Sequence, residues 1–316
     1  TKDIKMDAKM AAQKLSSIYY LINNYYVDTA DFEALTDDAI VSILKELDPH
    51  SAYIPKKDVE KANEPLEGNF EGIGVTFQIF NDTILVVSPV PGGPSDKAGI
   101  MAGDKIVRIN GEDAFGKNVN NEYVAKHLRG KKGTKVTLGI KRGKSDDILD
   151  YDIVRDKIPL NSIAAAFMVD DKIGYIKLDR FAKTSMTEFE ESLDKLKALK
   201  MKSLILDLRG NTGGYLNIAA ELSNVFLKKG MTIVFTEGEK SQKQLFNTDK
   251  NGEFADGKLV VLVDEGSASA SEIVSGAVQD WDRGVLIGRR TFGKGLVQRP
   301  FNMQDGSVIR LTTARY

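Results

Sequence analysis

Two stretches in the second half of the chain combine residue types that support nucleophilic chemistry. Residues 266–273 read GSASASEI, and residues 291–298 read TFGKGLVQ. The first stretch supplies serine hydroxyls, and the second supplies a lysine whose neutral amine could accept a hydroxyl proton. The chain contains two histidines and no cysteine. Because a serine–lysine dyad needs neither residue type, the two stretches predict a serine nucleophile with a lysine base.

Ser269 lies where the pattern changes from strand to helix. The apolar run 259–263 leads through small residues into a helical pattern, so free backbone N–H groups are expected beside the serine. The same residues fit a helix-capping box, with Ser269 as the N-cap and Glu272 three positions later. Ser267 and Ser271 are also candidates. The stretch by itself therefore predicts either a nucleophile or a cap, and it does not select one serine.

Lys294 stands between two glycines in an apolar stretch. A lysine has an ordinary pKa of about 10.4, and burial among apolar groups lowers that pKa by disfavouring the ammonium. A buried Lys294 is therefore a candidate general base, whereas an exposed one is the polar residue of a glycine turn. Gln298, four residues later, either hydrogen-bonds the lysine and orients it or lies on the polar face of a strand.

A third stretch, residues 207–216, reads DLRGNTGGYL and follows an apolar strand pattern. Its glycines allow backbone N–H groups to face outward just before a helix, where they bind an anion or a carbonyl oxygen that becomes negative. The stretch lacks the Gly-Lys-Ser/Thr ending of a nucleotide-binding loop. It predicts either an oxyanion site or a tight structural turn.

The elements that must position these stretches fall into three segments. Residues 1–66 carry apolar residues at helical spacing and predict helices, the second of which ends at Asp48-Pro49, followed by a linker at residues 63–65. Residues 160–316 alternate strand and helix patterns, which predicts an α/β layer structure. The elements predicted there are strands 173–178, 203–208, 258–263 and 285–287 and helices 188–199, 216–226 and 271–281.

The middle segment, residues 68–157, consists of short strand patterns punctuated by glycine. The glycine-containing run 72–77 leads into a strand, and further strands are predicted at 83–87, at 136–141 and before the turn at Asn110-Gly111. A short helix is predicted between them, and a second one at 122–128 is closed by Gly130. The spacing of Ala98-Gly99-Ile100, Gly103-Asp104 and Ile109-Asn110-Gly111 is specific, and the segment resembles a PDZ domain.

Composition excludes several classes of function. The formal net charge of −1 provides no basic face for nucleic acid. The absence of cysteine excludes disulfides and thiolate metal sites, and two histidines make a metal site an unfavourable interpretation. No run of about 18 apolar residues is present. The last residues, 309–316, form a strand-like run without a turn after it, which we interpret as a truncated chain.

Taken together, the three stretches and the middle segment closely resemble the carboxy-terminal processing peptidases, also called tail-specific proteases. The resemblance covers nearly the whole chain, including the run 47–53, and the Ser269-to-Lys294 spacing of 25 residues fits the family pattern. It implies a multidomain α+β fold with a helical N-terminal segment (1–66), a PDZ domain (68–157) built as a small β-barrel or sandwich with two helices, and a ClpP/crotonase-like α/β protease core (160–316). Family members usually continue beyond the final Thr-Ala-Arg-Tyr run.

The resemblance also implies the roles of the residues. Ser269 would be the nucleophile, Lys294 the general base, Gln298 the residue that positions the lysine, and the backbone amides of Gly214 and Ala270 the oxyanion hole. The reaction would be peptide hydrolysis through an acyl-enzyme, without a metal or organic cofactor.

The PDZ domain would supply specificity. Its loop of Gly72, Ile73, Gly74 and Val75 would receive the C-terminal carboxylate of a protein or peptide with an apolar tail. Arg129 resembles a basic residue that links the PDZ domain to the active site in some members. The resemblance further implies a bacterial envelope location, either periplasmic or membrane-anchored through a removed N-terminal segment, and it is compatible with a homo-oligomer.

Two other functions compete with peptide hydrolysis. A PDZ adaptor with a resting or inactive protease-like module would bind tails without cleaving them, although no predicted catalytic position is degraded. A crotonase-type hydratase or isomerase shares the core fold, but it needs no serine–lysine pair. His127, on the predicted PDZ helix, either touches substrate or packs locally, and His50 lies in a loop.

Overall fold

A computed structural model describes residues 7–116, 118–145 and 147–316. Its helices are α1 (Ala8–Tyr25), α2 (Phe32–Lys45), α3 (Lys56–Glu67), α4 (Pro94–Lys97), α5 (Asn121–Leu128), α6 (Ser185–Ala198), α7 (Leu216–Phe226) and α8 (Ala270–Asp280). Its strands are β1 (Ala52–Ile54), β2 (Asn69–Gly72), β3 (Val75–Phe80), β4 (Thr83–Pro89), β5 (Lys105–Ile109), β6 (Glu112–Asp113), β7 (Lys135–Lys141), β8 (Ile148–Val154), β9 (Asp156–Pro159), β10 (Ile163–Met168), β11 (Ile173–Leu178), β12 (Ser203–Asp207), β13 (Thr232–Gly238), β14 (Ser241–Asn247), β15 (Lys258–Val263), β16 (Val285–Gly288), β17 (Leu296–Asn302) and β18 (Val308–Arg315). The chain folds into two compact units.

In the described part of the chain, unit 1 consists of residues 7–60, Thr236–Lys243 and Leu296–Tyr316. Strand β18 pairs antiparallel with β1, with β17 and, at Glu237, with β13. Helix α2 begins at its N-cap Asp31, whose carboxylate accepts the Ala34 N–H at 3.0 Å. The Tyr53 hydroxyl donates to Asp37 at 2.7 Å and joins β1 to this helix. The first and last segments of the sequence therefore share one sheet.

Unit 2 consists of Lys61–Phe235 and Gln244–Gly295. Its first part contains the sheet of order β3-β4-β5-β7-β8, and β6 pairs with β5. Apolar residues from these strands and from α5 are completely buried, among them Ile84, Ile106, Leu138 and Ile140. The alternation of buried and exposed residues along the strands reflects one face packed on this core. This part is the PDZ domain.

The second part of unit 2 is an α/β structure that positions the candidate site. Its sheet has the order β10-β11-β12-β15-β16, in which β10 is antiparallel and the other strands are parallel. Asp207 at the end of β12 lies opposite Leu262 in β15. Because the carboxyl ends of parallel strands lie at one edge of the sheet, the turns that follow β12 and β15 meet there.

Most of the predicted elements are confirmed. The predicted strands at 173–178 and 258–263 and the predicted helix at 216–226 have the observed bounds, and the mixed fold with a PDZ domain agrees with expectation. The linker predicted at residues 63–65 is wrong, because these residues lie in α3, which continues through Pro65 and ends at Glu67. The helix continues for two residues past Pro65 and ends before Gly68, whose φ of +74° terminates it.

Sequence analysis did not predict β10, which reads IAAAFM, or β14, which reads SQKQLFN, and each lies at the end of the strand order of its sheet. The first six residues of the predicted N-terminal segment lie outside the described residues. Within the part of the chain that the structure describes, no helix is long and apolar enough to cross a bilayer.

Candidate active site

The turn between β15 and α8 separates the three candidate serines by burial. Ser267 and Ser271 are completely buried, and each donates its hydroxyl at 2.8 Å, to the Leu208 carbonyl and the Asn211 carbonyl respectively. Ser269 is partly exposed. A buried, hydrogen-bonded hydroxyl fixes a turn and cannot attack a peptide from solution. Of the three serines, Ser269 is the one that a substrate can reach.

Ser269 has an unusual backbone conformation. Its φ of 57° and ψ of −111° lie in a region that residues with a side chain rarely adopt, and such strain is held by the surrounding structure. The residue is the N-cap of α8, and its N–H donates to the Glu272 carboxylate at 2.9 Å. This bond is the glutamate half of the predicted capping box. The capping interpretation and the nucleophile interpretation of Ser269 are therefore compatible.

The glycine-rich turn after β12 is fixed by Asn211, which is completely buried. Its side-chain Oδ1 accepts the Gly213 N–H at 2.9 Å, and its Nδ2 donates to the Leu178 carbonyl at 2.8 Å. Its own carbonyl accepts the Ala268 N–H at 3.0 Å and the Ser271 hydroxyl. Asn211 thus holds the glycine turn and the serine turn together through both its side chain and its backbone.

Glycine is required where the two turns touch. A Cβ at Gly213 would lie 2.9 Å from both the Ser269 Cβ and the Ala270 nitrogen, and its φ is +103°. A Cβ at Gly214, with φ +151°, would overlap the Phe181 carbonyl oxygen. The Phe181 N–H donates to the Gly213 carbonyl at 3.0 Å and the Tyr215 N–H to the Phe181 carbonyl at 2.9 Å. The backbone at residues 213–214 therefore lies directly against the serine.

The two predicted oxyanion donors, the Gly214 and Ala270 amides, are not used inside the fold. Within residues 7–116, 118–145 and 147–316, neither amide donates a hydrogen bond to another protein group. Ala270 is the first residue of α8, where N–H groups lack helical partners and the helix dipole favours negative charge. Unused donors in the residue after Ser269 and in the glycine turn that contacts this serine suit a carbonyl oxygen that becomes negative.

The segment that carries Lys294 is attached to the serine turn through Glu272. Besides the Ser269 N–H, the Glu272 carboxylate accepts the Thr291 hydroxyl at 2.8 Å, the Gly293 N–H at 2.7 Å and the Lys294 N–H at 2.9 Å. The Phe292 N–H donates to the Ser267 carbonyl at 3.0 Å. Lys294 itself is half-buried. The structure thus brings the backbones of the predicted nucleophile and the predicted base to one carboxylate.

A buried charged group supports the strand end next to this site. Asp207 is completely buried and accepts hydrogen bonds from the Tyr175 hydroxyl at 2.6 Å and from Arg209 at 2.6 Å. Burial by itself raises the pKa of this carboxyl, but the hydrogen bonds from Arg209 and Tyr175 outweigh it and hold the pKa at about 2. Burial and the neighbouring carboxylate raise the pKa of Tyr175. Asp207 therefore stays ionised and fixes the start of the glycine turn.

Gln298 lies in unit 1, on β17. Its side-chain Nε2 donates to the His50 carbonyl. The His50 and Ser51 N–H groups both donate to Asp48 at 2.8 Å. Burial by itself raises the pKa of the Asp48 carboxyl, but the hydrogen bonds from Ser51 and His50 outweigh burial, so the pKa lies below its ordinary value. His50 therefore contacts Gln298 through its backbone carbonyl, and Asp48 fixes the loop in which His50 lies. The predicted role of Gln298 in orienting Lys294 stays a prediction.

The predicted carboxylate loop of the PDZ domain lies between β2 and β3. The Ile73 carbonyl accepts the Ser95 N–H at 3.0 Å, and the Gly74 carbonyl accepts the Val90 N–H at 2.9 Å, so the loop is fixed through its carbonyls. A Cβ at Gly72 would lie 3.5 Å from the Arg129 Cα. The end of α5 therefore packs directly against this loop.

Arg129 and His127, at the end of α5, have local partners. Arg129 donates to Glu64 of α3 at 2.5 Å, and its guanidinium lies 4.6 Å from the centroid of the Phe70 ring. The His127 Nδ1 lies 2.7 Å from the Tyr123 carbonyl oxygen, and the two rings are 4.1 Å apart. Arg129 thus connects the carboxylate loop to α3, and His127 packs on its own helix.

Sequence analysis did not assign Asn211, Asp207 or Glu272 a place in the site. Asn211 could have been found from the Asn-x-Gly spacing, because an asparagine two residues before a glycine commonly accepts that N–H. Glu272 was identified only as the end of a capping box, since its bonds to residues 291–294 depend on tertiary structure. Among the described residues, no cluster of three or more histidine or acidic side chains has a metal-binding arrangement.

Comparisons with known proteins agree with this division of the chain. Residues 172–316 match the model of peptidase family S41, and residues 72–153 match the PDZ domain. The chain is 38% identical over its whole length to the carboxy-terminal processing protease CtpA of Bacillus subtilis, of which it covers 66%. It is 36% identical over 96% of its length to a Staphylococcus aureus protein named "Probable CtpA-like serine protease", of which it covers 60%.

A solved structure resembles the whole chain as well. The photosystem II D1 C-terminal processing protease is 27% identical, with a TM-score of 0.54, over 96% of this chain and 81% of the other. The chain thus spans about two thirds or less of the length of the two curated relatives named above.

Proposed function

The chain belongs to peptidase family S41, and on that premise we propose that it is a serine endopeptidase that cleaves proteins recognised through their C-terminal tails. One observation carries the proposal. The partly exposed Ser269 directly precedes the unused Ala270 amide, contacts the glycine turn that carries the unused Gly214 amide, and shares a carboxylate with the Lys294 backbone.

The proposed reaction proceeds through an acyl-enzyme. The neutral amine of Lys294 takes the proton of the Ser269 hydroxyl while the oxygen attacks the scissile carbonyl carbon. The carbonyl oxygen gains negative charge and is stabilised by the two amides. One donor of this kind contributes about 3 kcal/mol to the stabilisation of the transition state. The lysine ammonium then protonates the leaving amine, and water hydrolyses the ester in a second round of the same proton transfers.

The PDZ domain is proposed to select the substrate. The amides of the loop 72–75 face a peptide that adds as a strand and places its C-terminal carboxylate there. We further propose that the preferred tails are apolar, because a PDZ groove that buries the last side chain gains free energy from apolar surface. Binding of a labelled peptide that ends in alanine or valine, compared with the same peptide ending in aspartate, tests this preference.

Arg129 is proposed to couple tail binding to catalysis. The residue packs against the loop 72–75 and pairs with Glu64 of α3, so a tail that shifts the loop changes this ion pair. Arg129→Ala is expected to change the hydrolysis rate while the dissociation constant of a tail peptide stays the same. Equal rates for the variant and the unmodified chain contradict this role.

Location and assembly are proposals of the same kind. We propose a bacterial envelope location, periplasmic or membrane-anchored through a removed N-terminal segment, and a homo-oligomer. Fractionation of cells that produce the native protein tests the first, and light scattering of the purified chain tests the second. A cytoplasmic fraction or a monomer over the whole concentration range contradicts the respective proposal.

The function is tested by mass spectrometry of casein, a loosely folded protein, after incubation with this chain. Fragments are expected with the unmodified chain and with Ser42→Ala, which changes an exposed serine of α2, and none with Ser269→Ala. Equal cleavage by the Ser269→Ala variant shows that the nucleophile is another residue. Intact mass after treatment with a fluorophosphonate, which reacts with activated serines, supplies a second measurement. If the unmodified chain gives no fragments and no labelled serine, the proposed function is overturned in favour of a PDZ adaptor.

A further inference from the structure

We propose that Glu272 is a positioning residue that fixes the loop carrying Lys294 against the turn carrying Ser269. The inference rests on the proposed function, in which Ser269 is the nucleophile and Lys294 the base. It concerns a side chain that the sequence marks only as a helix cap.

The carboxylate accepts four hydrogen bonds from two segments of the chain. Its Oε2 atom accepts both the Ser269 N–H and the Lys294 N–H, each at 2.9 Å. Its Oε1 atom accepts the Thr291 hydroxyl at 2.8 Å and the Gly293 N–H at 2.7 Å. A single oxygen therefore joins the backbones of the predicted nucleophile and the predicted base. An ionised carboxylate is suited to this task, because its two oxygens accept about four hydrogen bonds and donate none.

Helix capping does not account for these contacts. A cap needs only the bond to the Ser269 N–H, which lies three residues before Glu272. The other three donors lie 19 to 22 residues later in the chain and take no part in α8. Three of the four bonds therefore serve the lysine loop.

The loop needs such an external attachment. Lys294 is flanked by Gly293, whose φ is +89°, and by Gly295, and glycine adds backbone freedom that a side chain would restrict. A Cβ at Gly293 would meet open space, so packing on that side of the residue does not hold the backbone. Because proton transfer depends steeply on the distance between donor and acceptor, a freely moving loop would spend little time in the reactive geometry. Glu272 supplies the fixed point.

The test compares Glu272→Gln with a matched control, Glu265→Gln. Glutamine keeps the shape but replaces one accepting oxygen by an NH2 group that faces N–H donors. Glu265 lies in the same turn, is 69% exposed and pairs only with Arg289 among the described residues. We expect Glu272→Gln to lower kcat for peptide hydrolysis at least about a hundredfold, the effect of a misplaced catalytic group, with KM and PDZ peptide binding unchanged. Glu265→Gln should leave kcat unchanged.

Thr291 provides a second test in case Glu272→Gln does not fold. Thr291→Val removes one donor and keeps the shape, and Thr291→Ser keeps the hydroxyl. A decrease of kcat in the valine variant that the serine variant restores supports the attachment through Glu272. Equal kcat in both, or a normal kcat in a folded Glu272→Gln variant, overturns the inference.

Hydrogen exchange separates this inference from the proposed function. The Gly293 and Lys294 amides should exchange faster in Glu272→Gln than in the unmodified chain, while the amides of α7 keep their protection. This difference in exchange is measurable even if the unmodified chain and Ser269→Ala are equally inactive. Such inactivity would overturn the peptidase proposal but not the attachment through Glu272. Unchanged exchange at Gly293 and Lys294 overturns the attachment whatever the activity.

Discussion

The turns after β12 and β15 begin alike but present different groups to the site. Each follows a buried parallel strand, contains an aspartate at or just after the strand end, and leads into a buried helix. The turn after β12 has positive φ at three glycines, Gly210, Gly213 and Gly214. The turn after β15 has positive φ at one residue, Ser269. The first therefore presents backbone amides, and the second presents a side chain.

The difference shows how one topology provides two halves of a reaction site. Glycines let the first turn pass close to its neighbour without a side chain between them, and the Cβ of the strained serine lies at the point of contact. Asp264 joins the two turns, because its Oδ1 accepts the Gly210 N–H at 2.8 Å and the Gly266 N–H at 2.9 Å. The site thus depends on how the turns fit together more than on either turn alone.

The largest expected effect concerns Lys294, the proposed base of the serine turn. Lys294→Met keeps a long apolar side chain and removes the amine, so the Ser269 hydroxyl loses its proposed base. We expect kcat to fall at least about a thousandfold, as for other members of catalytic dyads and triads, with the unfolding temperature nearly unchanged. Steady-state hydrolysis of a peptide checks this. Activity within a factor of ten of the unmodified chain would mean that the serine turn does not use this lysine.

A change in the turn that carries the amides should lower kcat by a smaller factor. Gly214→Ala places a Cβ on the Phe181 carbonyl oxygen and forces the proposed oxyanion donor away from Ser269. We expect kcat to fall about 100- to 1,000-fold, the loss seen when one such donor is removed, together with a lower unfolding temperature. Gly210→Ala is the control for a side chain at positive φ in the same turn, because a Cβ there has open space, although its φ of +72° costs a side chain less than the +151° of Gly214. An equal loss of kcat in both variants would show strain alone to be responsible.

Stability at acid pH should depend on the aspartate at the end of β12. The pKa of Asp207 in the folded chain, about 2, is below its ordinary value of 3.8, so its contribution is present above about pH 4 and is lost as the pH falls toward 2. The difference corresponds to about 2 kcal/mol. Asp207→Asn should be less stable at pH 7 and should lack this part of the acid dependence. Urea unfolding at pH 7 and pH 3 measures both, and parallel curves for the two chains would contradict the assignment.

The smallest effect is expected at a buried serine of the serine turn. Ser271→Ala removes the hydroxyl that donates to the Asn211 carbonyl, which keeps its bond from the Ala268 N–H. We expect a loss of about 1 kcal/mol of unfolding free energy and an unchanged kcat. Denaturant unfolding and peptide hydrolysis of the same sample check it. A large loss of kcat in a stable variant would mean that the serines of this turn do not divide into one reactive and two structural residues.

The fold was largely predictable because its elements carry local signals. The apolar runs 258–263 and 203–208 predict buried strands, and the spacing of apolar residues in 216–226 predicts the helix that is found. Helix α3 was missed because Pro65 normally ends a helix, whereas here the helix ends two residues later and the Leu66 carbonyl accepts the Lys183 N–H at 2.9 Å. Contacts far along the chain overrode the local preference.

The sequence by itself determined which reactive groups are available, since a chain with no cysteine and two histidines, but with Ser269 and Lys294 in small-residue turns, has few other routes to a nucleophile. It also determined the glycines that allow close approach. The stretch 266–273 taken alone did not select among Ser267, Ser269 and Ser271, which are alike in composition and spacing, and only the family resemblance implied Ser269. Only the tertiary structure shows which of the three side chains is exposed, because burial and hydrogen bonding depend on what the turn after β12 places against each hydroxyl. For the same reason, only the fold turned Glu272 from a helix cap into the residue that joins both halves of the site.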